Sequence, residues 1–186
     1  TRVEEAKVEN GIVRCRAVNA KGETLQLEAE RLLLGVGRAA VIKEIGLEAT
    51  KVKIERGRIV VDQFCRTAEE GVYAIGDLLD TPWLAHGASA EGVLAVEHIA
   101  GKNPRPIDYG QVPSCTYCWP EVGSIGLTEP EAKAKGYEVR IGSFPFSALA
   151  KASMLGETIG FVKIVADAKY DEVLGVHIVG PHATEL

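Results

Sequence analysis

The sequence predicts an α/β region joined to an α+β region built on an antiparallel sheet. Three observations carry this. Short β-branched runs near the N-terminus flank Asn10-Gly11, the pair best suited to a tight hairpin turn. A strand-like segment ending in Gly76-Asp77 is followed by a helix rich in small residues. Beyond a proline-rich stretch, strand-like runs lie on either side of a helix opened by Thr128-Glu-Pro-Glu131.

At 186 residues the chain is long enough for one domain or two small ones. With 46% hydrophobic and 25% charged residues it can bury a core. A formal net charge of −5 gives no electrostatic footprint for nucleic acid or an anionic membrane. No apolar stretch approaches the roughly 20 residues that span a bilayer. Thr1-Arg-Val-Glu-Glu5 is neither an initiator Met nor a signal peptide, and the chain ends on what reads as the first turn of a helix. The expectation is a piece of a longer protein. Four cysteines without secretory signals suggest reduced thiols in the cytoplasm.

Along the chain, Val3–Val8, Ile12–Val18 and Thr24–Leu27 read as an antiparallel meander, with Lys21-Gly22 at its second turn. "RLLLGVG" (31–37) then reads as a strand buried on both faces. Gly35-Val-Gly-Arg-Ala-Ala40 matches Gly-x-Gly-x-x-Ala, but a dinucleotide fingerprint needs a long helix after the glycines. Here the sequence breaks at Gly46 and Gly57, and Glu55 sits in a charged turn. The glycines are therefore read as a strand end that lets the backbone pass close to something.

Residues 52–61 suggest a hairpin turning at Arg56-Gly57, and Val72–Ile75 a strand ending at Gly76-Asp77. Residues 84–101 suit a helix stopped by Gly101. Residues 102–113, with three prolines, form a linker. "SCTYCWPEVGSIGL" reads as strand, Thr128 and Glu131 as a capping box, and Tyr137–Phe146, Ile159–Val165 and Val173–Val179 as three further strands.

A carboxylate at the carboxyl edge of a strand lies where open α/β folds bind ligands, and it can accept hydrogen bonds from ribityl or ribose hydroxyls. A helix N-terminus six residues on brings unpaired N–H groups and partial positive charge. In isolation, Asp77 reads more readily as a turn residue capping its loop.

"LLLGVGRAA", "GRIVVDQFCRTAEEGVYAIGDLLDTPWLAHGASAEG", "VPSCTYCWPEVGSIGLTEPEAKAKGY", "FPFSALAKA" and "GVHIVGPHATEL" occur in this order. Together the chain resembles the flavin-dependent pyridine nucleotide–disulfide oxidoreductases, and within them the dihydrolipoamide dehydrogenase branch. The likeness runs nearly end to end but covers less than half of a typical family chain. It implies the C-terminal part of an NAD-binding domain (Rossmann-like) over 1–40 and a second segment of an FAD-binding domain over 41–108. A dimerisation domain with an antiparallel sheet would fill 112–186.

The same resemblance gives Asp77 to the ribityl hydroxyls of FAD. Trp83, Leu84, Ala85 and His86 would line the flavin ring through backbone groups, Trp83 standing where the family usually has Met. Gly37 would approach NAD. The implied partners are a second copy of the chain and dihydrolipoamide or a lipoyl domain. The family's N-terminal Gly-x-Gly-x-x-Gly, its Cys-x4-Cys redox pair and its His-Pro proton-transfer motif do not occur here, so no catalytic residue is assigned. Two other readings are a related glutathione- or mercuric-type flavin reductase, and a dimerisation module that binds no cofactor.

Other residues carry competing readings. Cys115-x-x-Cys118 is a redox pair, half a zinc site, or two buried thiols on a strand, the last favoured by the strand-like pattern. His182 is a ligand or a helix-start residue, and Arg38 a phosphate partner or a solvated side chain. Glu91 is a group behind the flavin helix or, preferred, a surface charge.

Overall fold

Asn10 and Gly11 take left-handed φ angles of 52° and 79°, joining β1 (Arg2–Glu9) to β2 (Ile12–Val18) in an antiparallel hairpin. The Asn19 side-chain oxygen accepts from the backbone N–H of Lys21 and of Glu23, which folds the turn into β3 (Thr24–Ala29). The sheet order is β1-β2-β3. Along β2 the pleat buries Val13, Cys15 and Ala17, while Arg14 and Arg16 point outward to Glu9, Glu28 and Glu4. The computed structural model describes all 186 residues and divides them into two compact units, Thr1–Ala39 and Ala40–Leu186.

Residues 31–36 overturn an expectation. They form no strand, and Leu33, Leu34 and Val36 are 75% or more exposed. An apolar run becomes a two-sided buried strand only with strands at both edges and cover on both faces. The first unit supplies neither for these residues.

The second unit opens with a two-residue hairpin, β4 (Ile54–Glu55) and β5 (Arg58–Ile59), turning at Arg56-Gly57 as the sequence suggests. Ile59, Cys65, Ala74, Leu79, Leu94 and Ala95 form its core. Burial of the Cys65 thiol pushes its pKa up to about 11, so it behaves as a packed apolar group. Val72–Ile75 falls short of the expected strand. Tyr73 makes a single bridge to Arg66, and the segment then enters a tight turn. Helix α1 (Ala85–Ile99) ends on Gly101: the N–H of Gly101 reaches the His98 carbonyl and that of Lys102 reaches Glu97. This pair of bonds is a Schellman stop.

The C-terminal sheet is fully antiparallel in the order β6-β7-β10-β9-β8, with β6 (Ser114–Thr116), β7 (Glu121–Gly126), β8 (Val139–Pro145), β9 (Phe161–Asp167) and β10 (Val173–Gly180). The single strand expected over 114–127 is two, separated by Tyr117–Pro120. Helix α2 (Glu129–Ala134) carries the capping box, Thr128 and Glu131 exchanging side chain-to-backbone bonds. A second short helix, α3 (Ala150–Leu155), closes on Gly156 in left-handed backbone. Pro181 and His182 lead into one 3-10 turn, Ala183–Glu185. No helix is long and apolar enough to cross a membrane.

Glu129 pins α2 to the sheet. Its carboxylate accepts from Lys133 and from Lys163 on β9, both at 2.7 Å, and these bonds hold its pKa at about 2 against the usual 4.5. A depressed carboxylate stabilises the fold fully above its ordinary pKa, and that contribution is lost as pH falls from 4.5 towards 2. Glu129→Gln is therefore expected to flatten the acid limb of a Tm-against-pH curve in this window. Added salt should shrink the difference, because the pair faces solvent. An unchanged acid limb would remove Glu129 from the account.

Candidate functional site

Gly76–Leu78 make one 3-10 turn, with Gly76 at φ 70°. A side chain there would be strained by that φ, and its Cβ would come within 3.3 Å of the Cβ of Ala88. The turn thus seats directly on the first turns of α1. Asp77, next in the turn, is exposed. Leu84 enters α1 in extended backbone and, at the N-cap position, supplies no side-chain cap. The leading N–H groups of a helix have no acceptor within it and carry partial positive charge. An acidic turn and an uncapped helix mouth therefore stand side by side.

The Trp83 and His86 rings have partners of their own. Trp83 donates its indole N–H to the Leu79 carbonyl at 3.1 Å. The Arg58 guanidinium lies 3.7 Å over the indole ring and donates to the same carbonyl at 3.3 Å. His86 Nε2 sits 2.7 Å from the Pro113 carbonyl, which can only accept, so that nitrogen carries a proton. With both rings engaged, what Trp83–His86 offer a ligand at the helix start is backbone.

Glu91 overturns the preference for a surface charge. It is 1% exposed. Its Oε2 accepts the Gly76 N–H at 2.6 Å and its Oε1 accepts the Tyr109 hydroxyl at 2.9 Å. Burial, and then the bond to Glu91, push the Tyr109 phenol well above its ordinary pKa, keeping it a donor. The sequence offers Glu91 only as the less preferred group behind the flavin helix, and it does not single out Tyr109. A signal was available: Glu91 shares the buried stripe of Gly87, Leu94 and Ala95 on α1. A carboxylate on such a stripe must find donors.

Of the sequence-derived residues, the structure brings Asp77, Trp83, Leu84, Ala85 and His86 into one stretch. Gly37 belongs to the other unit, exposed at φ 109°, and it does not follow a strand. The two cysteines diverge as well. Cys115 on β6 is half-buried and its Sγ lies 3.9 Å from the Thr184 carbonyl. Cys118 is exposed, contrary to the buried-thiol expectation, because it sits in the turn beyond β6, and its Sγ contacts the Pro120 carbonyl at 3.0 Å. Both are free thiols. No cluster of three His, Cys, Asp or Glu has metal-holding geometry.

Comparisons with known proteins meet this geometry from outside. Residues 1–92 match the sequence profile described as pyridine nucleotide-disulphide oxidoreductase, and 112–186 that of the same group's dimerisation domain. A dihydrolipoyl dehydrogenase of Bacillus subtilis is 53% identical over 89% of this chain and 35% of its own length. One from Rhizobium etli is 46% identical over 100% of this chain and 39% of its own. The chain thus spans well under half the length of the curated relatives it matches. Among solved structures, LpdA from Mycobacterium tuberculosis superposes with a TM-score of 0.87 at 28% identity, over 99% of this chain and 39% of that one.

Proposed function

The chain belongs to the pyridine nucleotide-disulphide oxidoreductase family, and from that premise we propose that it is the C-terminal part of a dihydrolipoamide dehydrogenase. The parent enzyme would oxidise dihydrolipoamide, or the reduced lipoyl arm of a 2-oxoacid dehydrogenase complex, using FAD and NAD. The observation that carries the cofactor half of this reading is the Gly76–Asp77 turn seated against the uncapped mouth of α1. The substrate half is supported by curated relatives at 43–53% identity that bear that name.

The donor and acceptor set fits a flavin nucleotide. Asp77 is an acceptor for ribityl hydroxyls, and the backbone N–H groups from Leu84 to His86 suit the electron-rich edge of the ring. Gly76 lets the turn close on α1 at Ala88 with no side chain between them. When bound there, FAD would supply two-electron transfer between a dithiol and nicotinamide. This chain's own residues bind and orient; the dithiol pair and the proton-transferring His of the family do not occur in it.

Residues 1–40 are proposed as part of the NAD-binding domain, with Gly37 against NAD. Residues 41–108 would be FAD-binding and 112–186 the homodimer interface. Four free cysteines support a reducing, cytoplasmic setting.

The test is made on the full-length protein. Purified material should be yellow, form NADH from NAD and dihydrolipoamide, and leave glutathione disulfide and mercuric ion largely unreduced. Turnover of either alternative substrate in place of dihydrolipoamide would reassign it within the family. Converting Cys115 and Cys118 together to Ser should leave lipoamide turnover largely intact, since their sulfurs face different acceptors. Loss of turnover in a folded double variant would give that pair a role in the reaction.

A further inference from the structure

We propose that Glu91 is a positioning residue for the flavin site, holding the Gly76–Asp77 turn in register with α1 so that Asp77 stands at the helix mouth. The inference rests on the reading of Asp77 as the flavin's ribityl acceptor, and it adds a residue that touches no ligand.

The argument starts from burial. A carboxylate at 1% exposure is retained only where hydrogen bonds replace its water. Glu91 accepts one hydrogen bond on each oxygen. The first partner is the backbone N–H of Gly76, the residue directly before Asp77. At 2.6 Å it is a short bond that ties α1 directly to the backbone of the turn. Glu91 lies six positions after Ala85 on α1, so the side chain reaches back along the helix to the turn beside its mouth.

The second partner anchors the first. Tyr109 lies in a 3-10 turn (Tyr109–Gln111) that Asp108 caps by accepting the Gly110 N–H at 2.9 Å. Its hydroxyl stops the carboxylate from rotating away from Gly76. Gly76 also seats close to Ala88, where an added Cβ would come within 3.3 Å, so the same turn lies against the helix. Together these contacts tie the Gly76 backbone, directly before Asp77, to α1. The linker carrying Tyr109 runs directly into β6, so the anchor reaches from the flavin turn to the C-terminal sheet.

Glu91→Gln in full-length protein tests this, with FAD dissociation measured by dialysis and stopped-flow flavin fluorescence, and the visible flavin spectrum recorded alongside. The amide keeps the volume but cannot accept at both ends. Expected are an FAD off-rate raised about tenfold, a shifted flavin band, and an apoprotein Tm close to wild type. In an Asp77→Ala background the same substitution should add little, because Glu91 acts through Asp77. Full additivity in that background would mean a merely structural role and overturn the proposal. So would an unchanged off-rate in Glu91→Gln while Asp77→Ala raises it. If Asp77→Ala itself leaves the off-rate unchanged, the flavin reading falls first. Tyr109→Phe, which keeps the ring and frees one carboxylate oxygen, serves if Glu91→Gln does not fold; it should raise the off-rate in the same direction by a smaller factor, and no rise would overturn the proposal.

Discussion

Asp77→Ala in the full-length protein is expected to leave it pale, with most of its flavin lost on purification. A hydrogen bond to a charged acceptor contributes about 1.5–3 kcal/mol, which corresponds to roughly 10- to 100-fold weaker FAD binding. Asp77→Asn keeps an acceptor oxygen but not the charge and should fall between the two. Because Asp77 is exposed, neither change should move the apoprotein Tm appreciably. Flavin absorbance per protein, read beside the thermal melt, checks both halves. Full flavin content in Asp77→Ala would remove the carboxylate from the site.

The second large effect falls on the C-terminal sheet. Gly160 holds φ 105°, and a Cβ there would lie 1.8 Å from the Val179 carbonyl oxygen on β10. Backbone of a paired strand cannot retreat that far without breaking its ladder. Gly160→Ala should cost about 4 kcal/mol or more, beyond the ordinary range for single changes, and abolish the dimer proposed for the parent. Gly136→Ala is the control. It shares a positive φ of 87° but meets nothing within 4 Å, so only backbone strain of about 1–2 kcal/mol is expected. Denaturation midpoints and light scattering compare the two. Equal midpoints would show that the β9–β10 edge shifts freely.

The elements legible in the sequence are those set by chemistry between near neighbours. Asn10-Gly11, the Thr128/Glu131 box and the Gly101 stop all act within a few residues, and each is found where the sequence puts it. Helix α3 was open to the same reading, since Gly156 marks its end, but its short apolar run lacks a clear period. What escaped depends on distant partners. Residues 31–36 have a buried strand's composition without the neighbours that make one. Val72–Ile75 finds one bridge where a strand needs a ladder.

The candidate site divides along the same line. Gly-Asp before a small-residue helix is a local pattern, and it located Asp77 and the helix mouth. The anchor does not announce itself: Glu91 meets Gly76 and Tyr109 across 15 and 18 residues. Only its place on the stripe with Leu94 and Ala95 hinted that a charge was turned inward. Cys118 erred in the opposite sense. A strand pattern promised burial, but β6 ends at Thr116, and Cys118 falls in the turn with Pro120, which has no N–H for a ladder.

Hydrogen exchange of the full-length apoprotein, with and without added FAD, asks most plainly whether a flavin meets this surface. The account predicts slowed exchange at the amides of 76–78 and 84–88. Protection that bypasses both segments while FAD binds elsewhere in the protein would contradict it.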